Sequence, residues 1–243
     1  MLAIIGGSGL YQLGLGDVVA THRVSTPYQE PPVEVAEERV GDNHVLFLPR
    51  HGQQHTLAPH QINYRANVWA LKQLGATDVV AVNAVGGITA GMTAGRLAIP
   101  NQLIDYTWGR EHTFCTGDHS LDRHVDFTNP YDAALQQRLS RSAKRLGVDF
   151  AQGVVYGCTQ GPRLETAAEI RRLQRDGCDV VGMTGMPEAG LARELGLRYA
   201  CLALVVNRAA GVGDGAVSID DMRIVLRDGA RTVRDVLQHL IRD

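Results

Sequence analysis

Short apolar runs alternate along this chain with stretches of helical periodicity. Residues 2–5, 45–48, 79–82, 180–181 and 201–206 are continuously apolar rather than alternating, which predicts strands of a sheet covered on both faces. Between them, Ile62, Ala66, Trp69, Ala70 and Leu74 recur at helical spacing, and Gly75 closes that segment. Residues 131–146 repeat the pattern and stop at Gly147. Pro187 suits the first turn of a helix ending near Gly196. The last helix is the best marked. Ser218 and Asp221 have capping spacing, and Met222, Leu226, Val233, Leu237 and Leu240 share one face.

This alternation predicts an α/β fold. Each apolar run ends in Gly, Arg-His or Asn, so polar groups gather at the carboxyl ends of the strands, where α/β sheets bind ligands. Residues 107–129, rich in His, Asp, Gly and Thr, form the longest stretch without periodicity, and a loop of that length is often functional.

Composition narrows the function classes. At 243 residues the chain suits a single domain over 1–243, and 44% hydrophobic residues with a net charge of −2 describe a folded globular protein. That balance offers no electrostatic footprint for nucleic acid or a membrane. Lys72 and Lys144 are the two lysines, so cationic work falls to arginine. Cys115, Cys158, Cys178 and Cys201 show no close pairing, which predicts free thiols in a reducing compartment. No run approaches the ~20 apolar residues of a membrane span, and the apolar start is too short for a signal-peptide core. A cytoplasmic protein is expected.

Several motifs carry candidate chemistry. Gly6-Gly7-Ser8-Gly9 can turn tightly and present bare N–H groups and a hydroxyl to an anion, although a plain strand-to-loop turn reads equally well. A dinucleotide motif would need glycine where Gln12 stands, and a phosphate loop of the Gly-Lys-Ser type would need a lysine. Arg50-His51-Gly52 follows a strand; guanidinium suits a tetrahedral oxyanion. A metal at His51 and His55 is disfavoured, because no Glu stands between them and Pro59 breaks any helix there. Asn83-Ala84-Val85-Gly86-Gly87 reads as a tight turn or an anion loop. Glu165 reads as a first-turn carboxylate favouring a helix dipole or as an acceptor for a ligand N–H. Asn207, ending the most apolar strand, either ties a loop or recognises a ligand.

Taken with Gly161-Pro162-Arg163-Leu164-Glu165-Thr166, Gly182-Met183-Thr184 and Val206-Asn207-Arg208, these segments resemble the trimeric purine nucleoside phosphorylase and methylthioadenosine phosphorylase family over nearly the whole chain. The resemblance implies a central mixed β-sheet flanked by helices, assembled as a homotrimer. It implies reversible phosphorolysis of a purine nucleoside with inorganic phosphate as co-substrate and no metal or organic cofactor. Phosphate would be held by Ser8, Arg50, His51, Asn83, Ala84 and Thr184. Met183, Leu164, Arg208 and Ala209 would line the nucleoside site, with Leu164 replacing the family's aromatic. Glu165 and Asn207 would be the catalytic pair, complementing the N1–H, O6 and N7 of a 6-oxopurine. Adenine-selective relatives carry serine and aspartate there, with a further aspartate where this chain has Ala209. Ile219 and Met222 would replace the histidine that binds a free 5′-hydroxyl and favour a 5′-methylthio group, with His124 lent by a neighbouring subunit. The expected substrate is therefore a 5′-methylthio 6-oxopurine nucleoside. The alternatives are a methylthioadenosine phosphorylase, a general inosine and guanosine phosphorylase, and a catalytically silent nucleoside-binding module.

Overall fold

The sheet is built outwards from the N-terminal strand. In the computed structural model, which describes residues 1–7, 9, 14–115, 117, 124–213 and 218–243, β1 (Leu2–Gly6) lies between β4 (Asn43–Pro49) and β5 (Asp78–Gly87), parallel to both. β9 (Arg198–Arg208) runs parallel to β5 on its other side. Four carboxyl ends therefore meet at one edge, as the polar strand termini lead one to expect.

Beyond β5 the sheet is mixed. β8 (Val180–Gly182) pairs antiparallel with β5, β7 (Phe150–Cys158) parallel with β8, and β6 (Leu97–Asp105) parallel with β7. β6 then pairs antiparallel with β9, so five strands close a ring. The other end is an antiparallel ribbon of β2 (Asp17–Thr26) and β3 (Gln29–Val40), the latter joined to β4. Its register shifts twice, between Val18 and Ala20 and between Val24 and Thr26.

Helices cover both faces, which accounts for the continuously apolar strands. In β5, Val79 and Ala81 join the core under α1 (Tyr64–Gln73) and α4 (Glu188–Glu194), whereas Val80 and Val82 join the core under α2 (Ala133–Arg145) and α5 (Ile219–Arg242). Side chains alternate across a strand, so a strand buried on both faces has few polar positions.

Caps set the helix ends. Asn63 accepts from Ala66 N at 3.0 Å, Asp132 from Leu135 N at 2.8 Å and Ser218 from Asp221 N at 3.2 Å. Two local expectations are corrected. Pro187 stands at the N-cap of α4 rather than inside its first turn. Pro59 does not exclude helix but opens a single 3-10 turn at Pro59–Gln61, because a first-turn proline sacrifices no hydrogen bond. Cys115, Cys158, Cys178 and Cys201 are free thiols.

Candidate active site

A cavity of about 450 Å³ opens at the shared edge of β1, β4, β5 and β9. Its wall includes Gly7, Arg50, His51, Ala84 and Thr184, and also Leu164, Glu165, Met183, Asn207 and Ala209. The parallel pairing explains the convergence. Gly6 lies beside Pro49 in the register, and Gly86 beside Asn207, so residues distant in sequence arrive at the same level of the sheet.

Arg50 is 1% exposed. Its Nε and Nη2 meet the two oxygens of the buried Glu188 at 2.7 and 2.9 Å. Nη2 also donates to Asn83 Oδ1 at 3.2 Å, and Nη1 to Val82 O at 3.2 Å. Among the described residues four of the five guanidinium N–H groups have partners, which leaves one on Nη1 for a ligand. Burial would lower the Arg50 pKa, but the adjacent Glu188 carboxylate overrides this and raises it, so the cation persists. Gly7 keeps that side open: a Cβ there would sit 2.9 Å from Arg50 Nη1 and 2.6 Å from Val82 O.

Asn83 is not in the cavity wall. It stands behind it, with Nδ2 donating to Thr184 Oγ1 at 3.1 Å and to Tyr156 Oη at 3.2 Å while Oδ1 accepts from Arg50. It positions the two groups flanking it. Because Thr184 Oγ1 accepts from Asn83, its hydroxyl hydrogen is free to be donated elsewhere. His51 Nδ1 lies 2.8 Å from Leu57 O. Burial, then the Arg50 charge, push the imidazole pKa down to about 4, so the ring is neutral near pH 7. Ser8 lies outside the described residues.

Elsewhere in the wall, Thr159 Oγ1 donates to Glu165 Oε1 at 2.6 Å, fixing that carboxylate at the cavity wall. Glu165 precedes α3 (Ala167–Arg175) and is not in its first turn. The capping box is made by Thr166 and Glu169, with Glu169 N donating to Thr166 Oγ1 at 3.2 Å and Thr166 N to Glu169 Oε2 at 2.7 Å. The first-turn acid of α3 is therefore Glu169 and not Glu165. Asn207 Nδ2 donates to Arg208 O at 2.6 Å.

Besides Asn83, three expected residues fall outside the cavity wall. Arg208 turns away, its Nη1 donating to the carbonyls of Thr89, Ala90 and Met92 at 2.8 to 3.2 Å, so it braces the β5–β6 connection. Ile219 is 51% exposed at the start of α5, while Met222 and Leu226, on the same helix face, do line the cavity. His124 is exposed on the long loop.

Arg110, in that same loop, is the clearest group that the sequence pattern did not single out. Nη1 donates to Met183 O at 2.8 Å and Met186 O at 2.6 Å, and Nη2 to Gln160 O at 2.8 Å. It is buried and ties the turn before Glu165 to the turn carrying Thr184. A lone arginine in an aperiodic loop carries no sequence signal of that role. Glu188 was likewise hidden, since an acid opening a helix is ordinary dipole complement. Among the described residues, no group of three or more His, Cys, Asp or Glu gathers in a way that could hold a metal ion, and no helix is long and apolar enough to cross a membrane.

The sequence and fold have close counterparts. A probable S-methyl-5′-thioinosine phosphorylase from Pseudomonas syringae is 52% identical over 239 residues, covering 98% of this chain and 97% of that protein. A 6-oxopurine nucleoside phosphorylase from Pyrococcus furiosus is 46% identical over 216 residues, covering 87% and 80% respectively. Methylthioadenosine phosphorylase from Schistosoma mansoni, solved with adenine, superposes with a TM-score of 0.93 at 32% identity, covering 99% of this chain and 90% of that one. The phosphorylase superfamily model matches residues 1–242, and the chain belongs to that family.

Proposed function

We propose that this chain catalyses reversible phosphorolysis of S-methyl-5′-thioinosine, giving hypoxanthine and 5-methylthioribose 1-phosphate, as one catalytic domain over residues 1–243. The observation that carries this reading is one cavity lined by Glu165 and Asn207, by the apolar Met183, Met222 and Leu226, and by Arg50, His51 and Thr184. A carboxylate accepts the N1–H of hypoxanthine, whereas adenine presents a lone pair at N1 and is repelled. Asn207 bonds O6 and N7 as negative charge grows on the leaving base. Preorganised bonds of this kind are worth roughly 2–4 kcal/mol each in barrier. Met222 and Leu226 give the 5′-methylthio group an apolar surface.

Phosphate sits against Gly7, Arg50, His51, Ala84 and Thr184, and attacks C1′ as the glycosidic bond opens towards an oxocarbenium-like state. Asn83 acts through Arg50 and Thr184. Inorganic phosphate is the co-substrate, and no metal or organic cofactor enters the reaction. The enzyme works in the cytoplasm as a homotrimer, in which His124 reaches the 5′ pocket of a neighbouring subunit. Exposure of His124 outside its own cavity supports that placement.

The position of Ile219 favours one rival. Half exposed and away from the cavity, it leaves room beside Met222 for a free 5′-hydroxyl, as a general 6-oxopurine nucleoside phosphorylase requires. A phosphate-dependent assay with methylthioinosine, methylthioadenosine and inosine side by side decides the matter. Methylthioinosine is expected to have the highest kcat/KM. Equal use of methylthioadenosine overturns the base assignment, and preference for inosine overturns the 5′ assignment.

A further inference from the structure

The anion-facing wall of the cavity contains an acceptor. His51 Nδ1 is 2.8 Å from Leu57 O, and a carbonyl oxygen can only accept, so Nδ1 carries the hydrogen. In a neutral imidazole the other nitrogen, Nε2, then holds a lone pair. Among the described residues no group pairs with Nε2, and the ring is 4% exposed in a cavity wall. Two donors stand in the same wall, one N–H of Arg50 Nη1 and the hydroxyl of Thr184, and the His55 ring packs edge-on against His51 with centroids 4.5 Å apart. The guanidinium charge is already matched by Glu188 within 2.7 Å, so the pocket lacks surplus positive charge to override a misplaced lone pair.

We propose that His51 Nε2 accepts the hydroxyl hydrogen of the bound phosphate, so that this subsite selects oxyanions carrying a proton. Hydrogen phosphate and hydrogen arsenate present one O–H together with bare oxygens, which matches one acceptor among donors. Sulfate is of similar size and charge but has no hydrogen near neutral pH, and it sets an oxygen lone pair against that of Nε2. Fluorophosphate, a dianion without an O–H, is excluded on the same ground. The phosphate hydroxyl is thereby anchored at His51, and the unprotonated oxygens are left to face the sugar. This inference rests on the assignment of the Arg50, His51 and Thr184 wall as the phosphate subsite.

The test measures phosphate KM, arsenate KM, and inhibition by sulfate and by fluorophosphate in the native enzyme and in His51→Gln, whose amide can rotate to donate. An unsatisfied buried polar group corresponds to a factor of roughly 10 to 100 in affinity. In the native enzyme arsenate should be used with a KM near that of phosphate, and sulfate and fluorophosphate should bind at least about tenfold more weakly. His51→Gln should narrow that gap by about tenfold, chiefly through tighter sulfate. Sulfate or fluorophosphate competing as well as phosphate in the native enzyme overturns the proposal, and so does a gap unmoved in folded His51→Gln. The native measurements stand even if the variant does not fold. Thr184→Ala distinguishes the underlying assignment: phosphate KM unchanged in both variants removes the phosphate subsite itself, whereas a raised KM with unchanged anion selectivity removes only the role of His51.

Discussion

At the scale of single residues, burial decides what each charge can do. Arg50 invites the thought that truncation would be a clean kinetic test, but its bidentate pairing with Glu188, both side chains fully buried, argues otherwise. Arg50→Ala leaves a buried carboxylate alone and should cost about 3–5 kcal/mol in unfolding free energy. Replacing both partners, in Arg50→Met with Glu188→Met, should recover most of that in denaturant titration while phosphate KM stays raised. Full recovery of phosphate KM in the double variant would remove Arg50 from ligand contact. His51 makes a pH-dependent contribution. Its pKa falls from an ordinary 6.5 to about 4 through burial and the Arg50 charge, so the unfolded chain binds the proton more readily. The corresponding stability is complete above pH 6.5 and is lost as the pH falls through about 4; it amounts to roughly 3 kcal/mol. His51→Gln should flatten the stability profile between pH 4 and 6.5; an unchanged profile would show that another group dominates. For the base, Asn207→Asp with Glu165→Ser should move preference from methylthioinosine towards methylthioadenosine. Sites built around paired polar groups discriminate by up to ~10⁴–10⁵, so a change below tenfold in the kcat/KM ratio would count against both assignments.

At the scale of elements, loops from different strands must be held in register, and Arg110 does this from residues far away in sequence. Its donors reach carbonyls of both the 159–160 and the 183–186 turns, positions that frame Glu165 and Thr184. Lysine keeps the charge but lacks the planar fork. Arg110→Lys should therefore lower kcat/KM by about 10- to 100-fold while circular dichroism stays native, since two or more charge-assisted bonds are lost. A variant within twofold of native activity would show that the turns hold themselves. The strands that carry the site were legible because both faces are buried: β1, β4, β5 and β9 stand out as apolar runs ending in polar residues. β2 and β3 were not, because one face is solvated and their sequences alternate with charges such as Arg23, Glu34 and Arg39. β6 and β7 were obscured by Pro100 and Gly153, which interrupt the apolar pattern near register shifts in their pairing. Ile219 fits the helical face of Met222 and Leu226, but periodicity gives the face of a residue and not its depth along the helix.

For the whole molecule, the cavity lies where the strands β1 and β4 meet the closed ring of β5, β8, β7, β6 and β9. β5 and β9 are almost wholly buried, while β2 is exposed or half-buried throughout. Amide exchange should be slower in β5 and β9 than in β2 by at least about a hundredfold, since opening the former requires global unfolding. Comparable rates would show that the ribbon and the ring open together. The fold was readable at this scale as a covered α/β sheet, but the closure was not, because the β6–β9 contact is a short antiparallel pairing with no compositional mark.

That closure also decides which edge of the sheet stays open to main-chain pairing. A sheet that turns back on itself leaves β2 as its terminal strand, the place where another chain could add by main-chain pairing. The two register shifts in β2 break the even ladder of donors and acceptors that an incoming strand would need, and Arg23 and His22 add charge or polarity along it. The irregular ribbon thus works against fibre-like stacking by main-chain pairing at that edge.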